Sequence, residues 1–171
     1  MKQLQIKNFK CFSNKTIDLN DLTLLVGANG VGKSSVIQAL LLLRSSIENN
    51  LKKSDNIALN DYYGLMLGTS EDVISQAKDD SIISINFKQE ENNNVGYKYV
   101  IDDISSKLYL TVDEVSDNGS TIISDNQFYY LSAERLGPRI SQPLHYLPEL
   151  NVGIYGQHTA QVLSSTKDAQ F

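Results

Sequence analysis

The chain of 171 residues is poor in several things, and each shortage excludes something. It has one cysteine, Cys11, so no internal disulfide can form. That fits a reducing compartment. Tryptophan is absent, and the three prolines all fall between Ser132 and Pro148, which marks that stretch as irregular. No long apolar run exists: Ala39 to Leu43 is far shorter than the ~20 residues a membrane span needs. Met1 to Phe9 alternates apolar and polar residues, where a secretory leader would carry an unbroken apolar core. The expectation is a soluble cytoplasmic protein with no membrane partner. Basic charge is also short. The net charge is -5, which gives no general reason to expect nucleic-acid binding and leaves only a local basic patch for it. Hydrophobic content of 41% is enough for a core, and the length suits about one domain.

What is present centres on Gly27-Ala28-Asn29-Gly30-Val31-Gly32-Lys33-Ser34, which matches G-x-x-x-x-G-K-[ST]. This is the phosphate-binding loop pattern. The apolar run 22–26 precedes it and reads as a buried strand. The stretch from Ser35 to Ile47 follows it and reads as a helix apolar on more than one face, packed on both sides. Glycines let successive backbone N–H groups turn toward one anion, and the helix start adds its positive end. Lys33 would reach the β- and γ-phosphates, and the Ser34 hydroxyl would hold Mg²⁺. The candidate nucleotide-binding set is Gly27 to Ser34 with Ser35.

Around this loop the pattern is mixed. Leu4, Ile6 and Phe9 alternate as a half-buried strand, Cys11 to Lys15 reads as a turn, and Thr16 to Leu19 pairs back. Residues 45–61 read as helix end and surface loop, and Ser70 as the cap of a helix from Glu71 to Lys78. From residue 81 the period changes to two. Ile83, Ile85 and Phe87, then Tyr97, Tyr99 and Ile101, then Leu108, Leu110 and Val112 describe an antiparallel meander. Asn92 to Gly96 and Asn118-Gly119 supply turns, and Thr121 to Ile123 is read as one more strand. The run Phe128 to Leu131 is a candidate core strand, and Thr159 to Leu163 opens a helix. The expected class is therefore α/β. It combines an incomplete P-loop NTPase-type core with an antiparallel β-meander, arranged as 1–48, 81–125 and 127–171 of one domain.

Catalytic groups are harder to find. Hydrolysis needs a carboxylate to organise Mg²⁺ and a group to orient water. Leu110-Thr111-Val112-Asp113-Glu114 imitates that pattern, with Asp113 for the metal and Glu114 for water; Tyr99 to Asp103 is a poorer copy. Clean alternation of Leu108, Leu110 and Val112 argues instead for a strand solvated on one face. Asp61-Tyr62-Tyr63-Gly64 fits a GTPase switch pattern, yet no N-K-x-D guanine-reading sequence follows, so guanine specificity is rejected. His145 and His158 lie apart without Cys or His neighbours, so no zinc site is argued. Metal is confined to Mg²⁺ carried with the nucleotide.

Two stretches carry a family resemblance. Leu4 to Phe12 (LQIKNFKCF), followed by Leu24 to Ser35 (LLVGANGVGKSS), resembles the N-terminus of RecF/SMC-like ATPases of the ABC superclass. Gln127 to Arg139 (QFYYLSAERLGPR) with Gly153 to Ala160 (GIYGQHTA) is similar to bacterial AAA-annotated ATPases near the OLD nucleases, a group including phage-defence ATPases. The resemblance covers most of the chain. It implies an ATP- and Mg²⁺-binding head that pairs with a second head, with DNA-related or phage-defence work in the complete protein. It also implies a signature motif, a Walker B strand and a switch histidine further C-terminal. No LSGGQ-like stretch is present, since Leu131-Ser132-Ala133-Glu134 departs after two residues, so the chain looks like the N-terminal portion of an ATPase. The resemblance further suggests Asn8, Phe9 and Lys10 as flanks of the base or ribose and Gln142 as a Mg²⁺-sensing glutamine. It suggests Glu134, Arg135 and Arg139 as a switch region, with Glu134 a weak catalytic candidate. The rival reading is a nucleotide-gated regulatory or interaction module that binds without hydrolysing. A small-molecule kinase fits less well, because no lid arginine cluster is seen.

Overall fold

A computed structural model describes residues 2–61, 64–75, 82–101, 107–119, 121–124, 128–134, 136–137, 139, 141–145 and 151–165. The chain divides into two compact units, Met1–Phe128 and Tyr129–Phe171.

The first unit is built on a six-stranded sheet. Its strands are β1 (Lys2–Phe9), β2 (Phe12–Leu19), β3 (Asn56–Ala58), β4 (Ile83–Lys88), β5 (Asn94–Val100) and β6 (Tyr109–Asp117). They lie in the order β2-β1-β4-β5-β6-β3, and every pairing is antiparallel. Most of the alternation read from the sequence is realised, although Ile101 falls beyond β5 and Leu108 falls before β6 and is 55% exposed. Leu4 and Ile6, Ile83, Ile85 and Phe87, Val95, Tyr97 and Tyr99, and Leu110 and Val112 are all buried. A helix α1 (Lys33–Glu48) lies against β1, β4 and β5 and buries Val36, Ala39, Leu41, Leu42 and Leu43. Apolar residues at nearly every position of one helical turn leave no polar stripe wide enough for an exposed helix.

Polar groups enter this core only with partners. Ser46 donates from Oγ to the Leu42 carbonyl at 2.9 Å, and its oxygen lies 2.7 Å from the Tyr99 hydroxyl. Tyr97 and Tyr99 stack with ring centroids 6.0 Å apart. Burial pushes the Tyr99 phenol well above its ordinary range, and burial with Asp117 nearby also pushes Tyr97 up.

Several expectations are corrected. The run 22–26 carries no strand ladder, and Leu22, Leu24 and Val26 are 87%, 81% and 81% exposed. The run 128–131 likewise forms no strand, with Tyr129 71% and Leu131 49% exposed. A doubly buried strand needs neighbours on both edges. Among the described residues none pairs with either run, so the parallel P-loop core is not seen. Residues 122–124 form a turn where a strand was expected, with Thr121 N–H and the Ser124 hydroxyl closing it at 2.7 Å. The turn of the first hairpin is shorter than expected, because β2 already begins at Phe12. β3 was not foreseen: three residues are too few to show a period. The helix expected from Glu71 is one turn, α2 (Ser70–Val73), whose cap is Thr69 and not Ser70. Asp72 accepts from both the N–H and the hydroxyl of Thr69, at 2.8 and 2.7 Å. Ile74 is already extended and ends the helix, and residues 76–78 of the expected continuation lie outside the described residues.

The second unit contains α3 (Thr159–Ser165) and the loops before it. No helix of the described residues is long and apolar enough to cross a membrane.

Candidate functional site

The loop between residue 26 and α1 is set by its glycines. Gly30 and Gly32 have φ of 84° and 100°, the left-handed region that side chains resist. Gly32 is the N-cap of α1, and its carbonyl accepts from Val36 N–H at 3.1 Å. The first turn of a helix leaves its N–H groups without intrahelical partners. Here those groups belong to Lys33, Ser34 and Ser35, and the first turn contains no acidic side chain to compete with an anion. The Lys33 ammonium folds back and donates to the Gly27 and Ala28 carbonyls at 2.7 and 2.6 Å. Its charge therefore sits beside Gly27 and Ala28 at the start of the loop. Left-handed glycines, open N–H groups and a lysine at the rim are the donor set a polyphosphate requires.

The first hairpin supports this loop from one side. Its tip is locked by Lys10 at φ 51° and by the Lys10 N–H bond to the Val73 carbonyl at 2.7 Å. Cys11 and Phe12 then press on the loop. A Cβ placed on Gly32 would lie 2.5 Å from Cys11 Sγ and 2.8 Å from Phe12 Cζ. Cys11 Sγ also lies 3.8 Å from the Ser35 hydroxyl. The sequence reading had pointed to the neighbours of these two. Phe9 is fully buried, and Asn8 is buried with its amide donating to the Ile82 carbonyl at 3.2 Å. Lys10 is held below its usual range by partial burial, against the opposing pull of Asp72 and Cys11. The hairpin register, with Phe9 opposite Phe12, was the signal that could have identified Phe12.

The acidic candidates sit elsewhere on the sheet. Asp113 faces Lys53 at 3.6 Å, and Glu114 accepts from Lys98 across the β5–β6 ladder at 2.5 Å. Both pairs are solvated. Asp102 and Asp103 lie outside the described residues.

In the second unit, Gln142 and Arg139 line a cavity of about 580 Å³ together with Leu136, Tyr155, Gln157 and Leu163. Glu134 N–H donates to the Ser132 hydroxyl at 3.2 Å. Arg135 lies outside the described residues. His145 and His158, separate in sequence, come together edge to face with centroids 5.1 Å apart. Gln161 clamps the His145 backbone through its N–H and carbonyl, at 3.1 and 2.6 Å. Among the described residues no group of three or more His, Cys, Asp or Glu side chains could hold a metal ion.

The chain is 36% identical over 52 residues to an OLD nuclease of Thermus scotoductus, covering 30% of this chain and 10% of that protein. It is 37% identical over 62 residues to the DNA double-strand break repair Rad50 ATPase of Archaeoglobus fulgidus, covering 35% of this chain and 7% of that protein. An uncharacterised protein 050L of Invertebrate iridescent virus 6 is 46% identical over 41 residues, 23% of this chain and 4% of the viral protein. The chain thus spans a tenth or less of the length of these relatives. The family model described as AAA ATPase domain matches residues 1–140. The chain is similar to RecF/SMC/OLD-like P-loop ATPases and belongs to the AAA ATPase domain family.

Proposed function

We propose that this chain is the ATP-binding module of a RecF/SMC/OLD-like ATPase. One observation carries the reading: Lys33 at the start of α1 reaches back to the Gly27 and Ala28 carbonyls across a loop whose Gly30 and Gly32 are left-handed, beside the open N–H groups of the helix's first turn. The loop amides, Gly27 to Ser35, would wrap the β- and γ-phosphates. Lys33 would exchange its two carbonyl partners for phosphate oxygens, a change from neutral to charge-assisted acceptors. The exposed Ser34 hydroxyl is the residue that would hold Mg²⁺, which supplies neutralisation of phosphate charge. The donor set fits such a group, since no carboxylate of the first turn opposes the anion.

Asp113 and Glu114 take the role of surface ion-pair partners to Lys53 and Lys98 in this reading. Gln142 and the switch residues Glu134, Arg135 and Arg139 enter it only through the family resemblance, as the segment that senses the bound nucleotide. In the complete protein, ATP would drive pairing with a second, identical head and support DNA-related or phage-defence work. Titration calorimetry with Mg²⁺-ATP tests the core of the proposal. Lys33→Ala removes a charge-assisted contact worth about 1.5–3 kcal/mol, so binding should weaken by at least tenfold. Equal affinity of the two proteins would overturn the assignment.

A further inference from the structure

We infer that Phe12, at the start of β2, is a positioning residue for the phosphate loop: its ring braces the turn at Gly32 and keeps the loop N–H groups aimed at one anion. The inference rests on the nucleotide-binding reading above and adds a residue outside the loop motif.

The argument begins with what holds the loop. On the leading side, residues 22–26 have no ladder partner among the described residues, and Leu22, Leu24 and Val26 are exposed. The described side-chain bonds there are local, Thr23 to Asn20, and the leading loop residues Gly27 and Ala28 are held only through the flexible Lys33 side chain. On the trailing side α1 is anchored in the core through Val36, Ala39 and Leu42. A left-handed residue joins that anchored helix to the loop, namely Gly32 at φ 100°. This joint is where a small rotation would swing every preceding N–H away from a shared anion. Phe12 Cζ and Cε1 occupy the side of Gly32 where a Cβ would project, at 2.8 and 3.2 Å from that point, with Cys11 Sγ at 2.5 Å.

The brace is itself fixed. Phe12 pairs with Phe9 in the β1–β2 register, and Phe9 is wholly buried. The hairpin tip is tied to residues 73–75 by Lys10 N–H to the Val73 carbonyl at 2.7 Å and Ser75 N–H to the Asn8 carbonyl at 3.3 Å. An isolated hairpin tip would wave in solvent. This one is bonded to a neighbouring segment on both sides of Phe9, so the Phe12 ring is a stationary surface. A rigid support around a binding loop raises affinity by lowering the ordering cost of binding. Phe12 is half-buried, so its ring does not serve as one of the central core side chains.

Two roles for an aromatic ring near a phosphate loop make different predictions. A ring that stacks on the base contributes to ATP binding and is silent toward a ligand without a base. A ring that braces the loop contributes equally to both. The experiment therefore measures Mg²⁺-ATP and inorganic triphosphate by calorimetry on the 171-residue chain, comparing wild type, Phe12→Ala and Phe12→Leu. Positioning predicts that Phe12→Ala weakens both ligands by a similar factor of about tenfold, equivalent to about 1.4 kcal/mol. Phe12→Leu, which keeps an apolar brace, should recover most of that loss for both. Loss confined to ATP would overturn the inference in favour of base stacking. Unchanged binding of both ligands in Phe12→Ala would overturn it outright. Ligand-free thermal unfolding of each variant accompanies the titration. A binding loss in Phe12→Ala that follows its loss of folded population, and disappears when binding is measured well below the unfolding transition, would also overturn it. If wild type binds neither ligand, the nucleotide-binding reading itself fails, an outcome distinct from a wild type that binds and a Phe12→Ala that binds equally well.

Discussion

Ser46 Oγ and Tyr99 Oη lie 2.7 Å apart inside the core, joining α1 to the centre of β5. The bond is asymmetric. Ser46 has a second use, donating to the Leu42 carbonyl. Tyr99 is wholly buried, and its hydroxyl bonds to the Ser46 hydroxyl. Leaving a buried hydroxyl unsatisfied costs about 1–3 kcal/mol, while losing one bond between satisfied groups costs about 1 kcal/mol. Ser46→Ala should therefore destabilise more than Tyr99→Phe, although each deletes a single hydroxyl. Urea unfolding of both variants checks the order, and the reverse order would show that the ring hydroxyl has another partner.

Alkaline pH should weaken the same contact. Burial raises the Tyr99 pKa in the folded protein above the value of about 10 for an exposed phenol. Below that value both states hold the proton and stability is full. As pH rises past it the unfolded chain ionises first, so folding stability falls with pH. Tyr97 is shifted the same way, chiefly by burial. Tyr99→Phe should flatten the fall in unfolding midpoint above pH about 10, leaving the smaller contribution of Tyr97. An unchanged slope in Tyr99→Phe would place the alkaline sensitivity elsewhere.

The isolated chain should turn over ATP slowly or not at all. Glu114, the best sequence candidate for orienting water, sits in an ion pair with Lys98, and Asp113 faces Lys53. Exposed pairs of this kind contribute about 0–1 kcal/mol, and their carboxylates have a solvated structural use. Steady-state phosphate release by the wild-type chain should stay far below the ~1 per second at the low end of ordinary enzymes. Turnover near that rate, abolished by Glu114→Gln, would restore Glu114 as the catalytic acid.

Nucleotide selectivity gives another check. No N-K-x-D sequence follows the phosphate loop, so that guanine-reading motif is missing. GTP should compete for the site no better than ATP. A GTP preference of tenfold or more in competition binding would reverse that conclusion.

The meander was legible because its periodicity is a consequence of burial on one face. Ile83, Ile85 and Phe87 share one face of β4 while Ser84, also buried, and the half-buried Asn86 share the other, and a two-residue period leaves no other arrangement. The helix after the loop was legible for the complementary reason, since its apolar residues exceed one face. Runs 22–26 and 128–131 were misread because an apolar stretch specifies a need for burial without naming a partner. A strand exists only where another chain segment accepts its hydrogen bonds. Cys11 and Phe12 escaped notice because their contact with Gly32 joins positions about twenty residues apart through a tight turn. The His145–His158 approach escaped for the same reason.

The two left-handed glycines of the loop should respond differently to alanine. Gly30 and Gly32 have similar positive φ, 84° and 100°, so a side chain strains the backbone at both. That strain alone costs about 1–2 kcal/mol. Around Gly30 nothing lies within 4 Å of the new Cβ. At Gly32 the new methyl meets Cys11 Sγ at 2.5 Å and Phe12 Cζ at 2.8 Å, inside the distance that carbon and sulfur tolerate. Those atoms are side-chain ends on a hairpin tip held by the Lys10 bond to Val73, so relief requires both side chains to leave their present positions or the tip or the loop to move. Gly30→Ala should therefore show a modest loss of unfolding stability, with ATP affinity reduced in proportion to backbone strain. Gly32→Ala should show the same strain plus a displaced hairpin, lowering stability further and ATP affinity by at least another tenfold. Adding Cys11→Ala to Gly32→Ala removes the nearest obstacle and should return part of the difference between the two glycines. Equal behaviour of Gly30→Ala and Gly32→Ala in calorimetry and urea unfolding would mean that the hairpin tip does not hold the loop, and that backbone strain alone governs this turn.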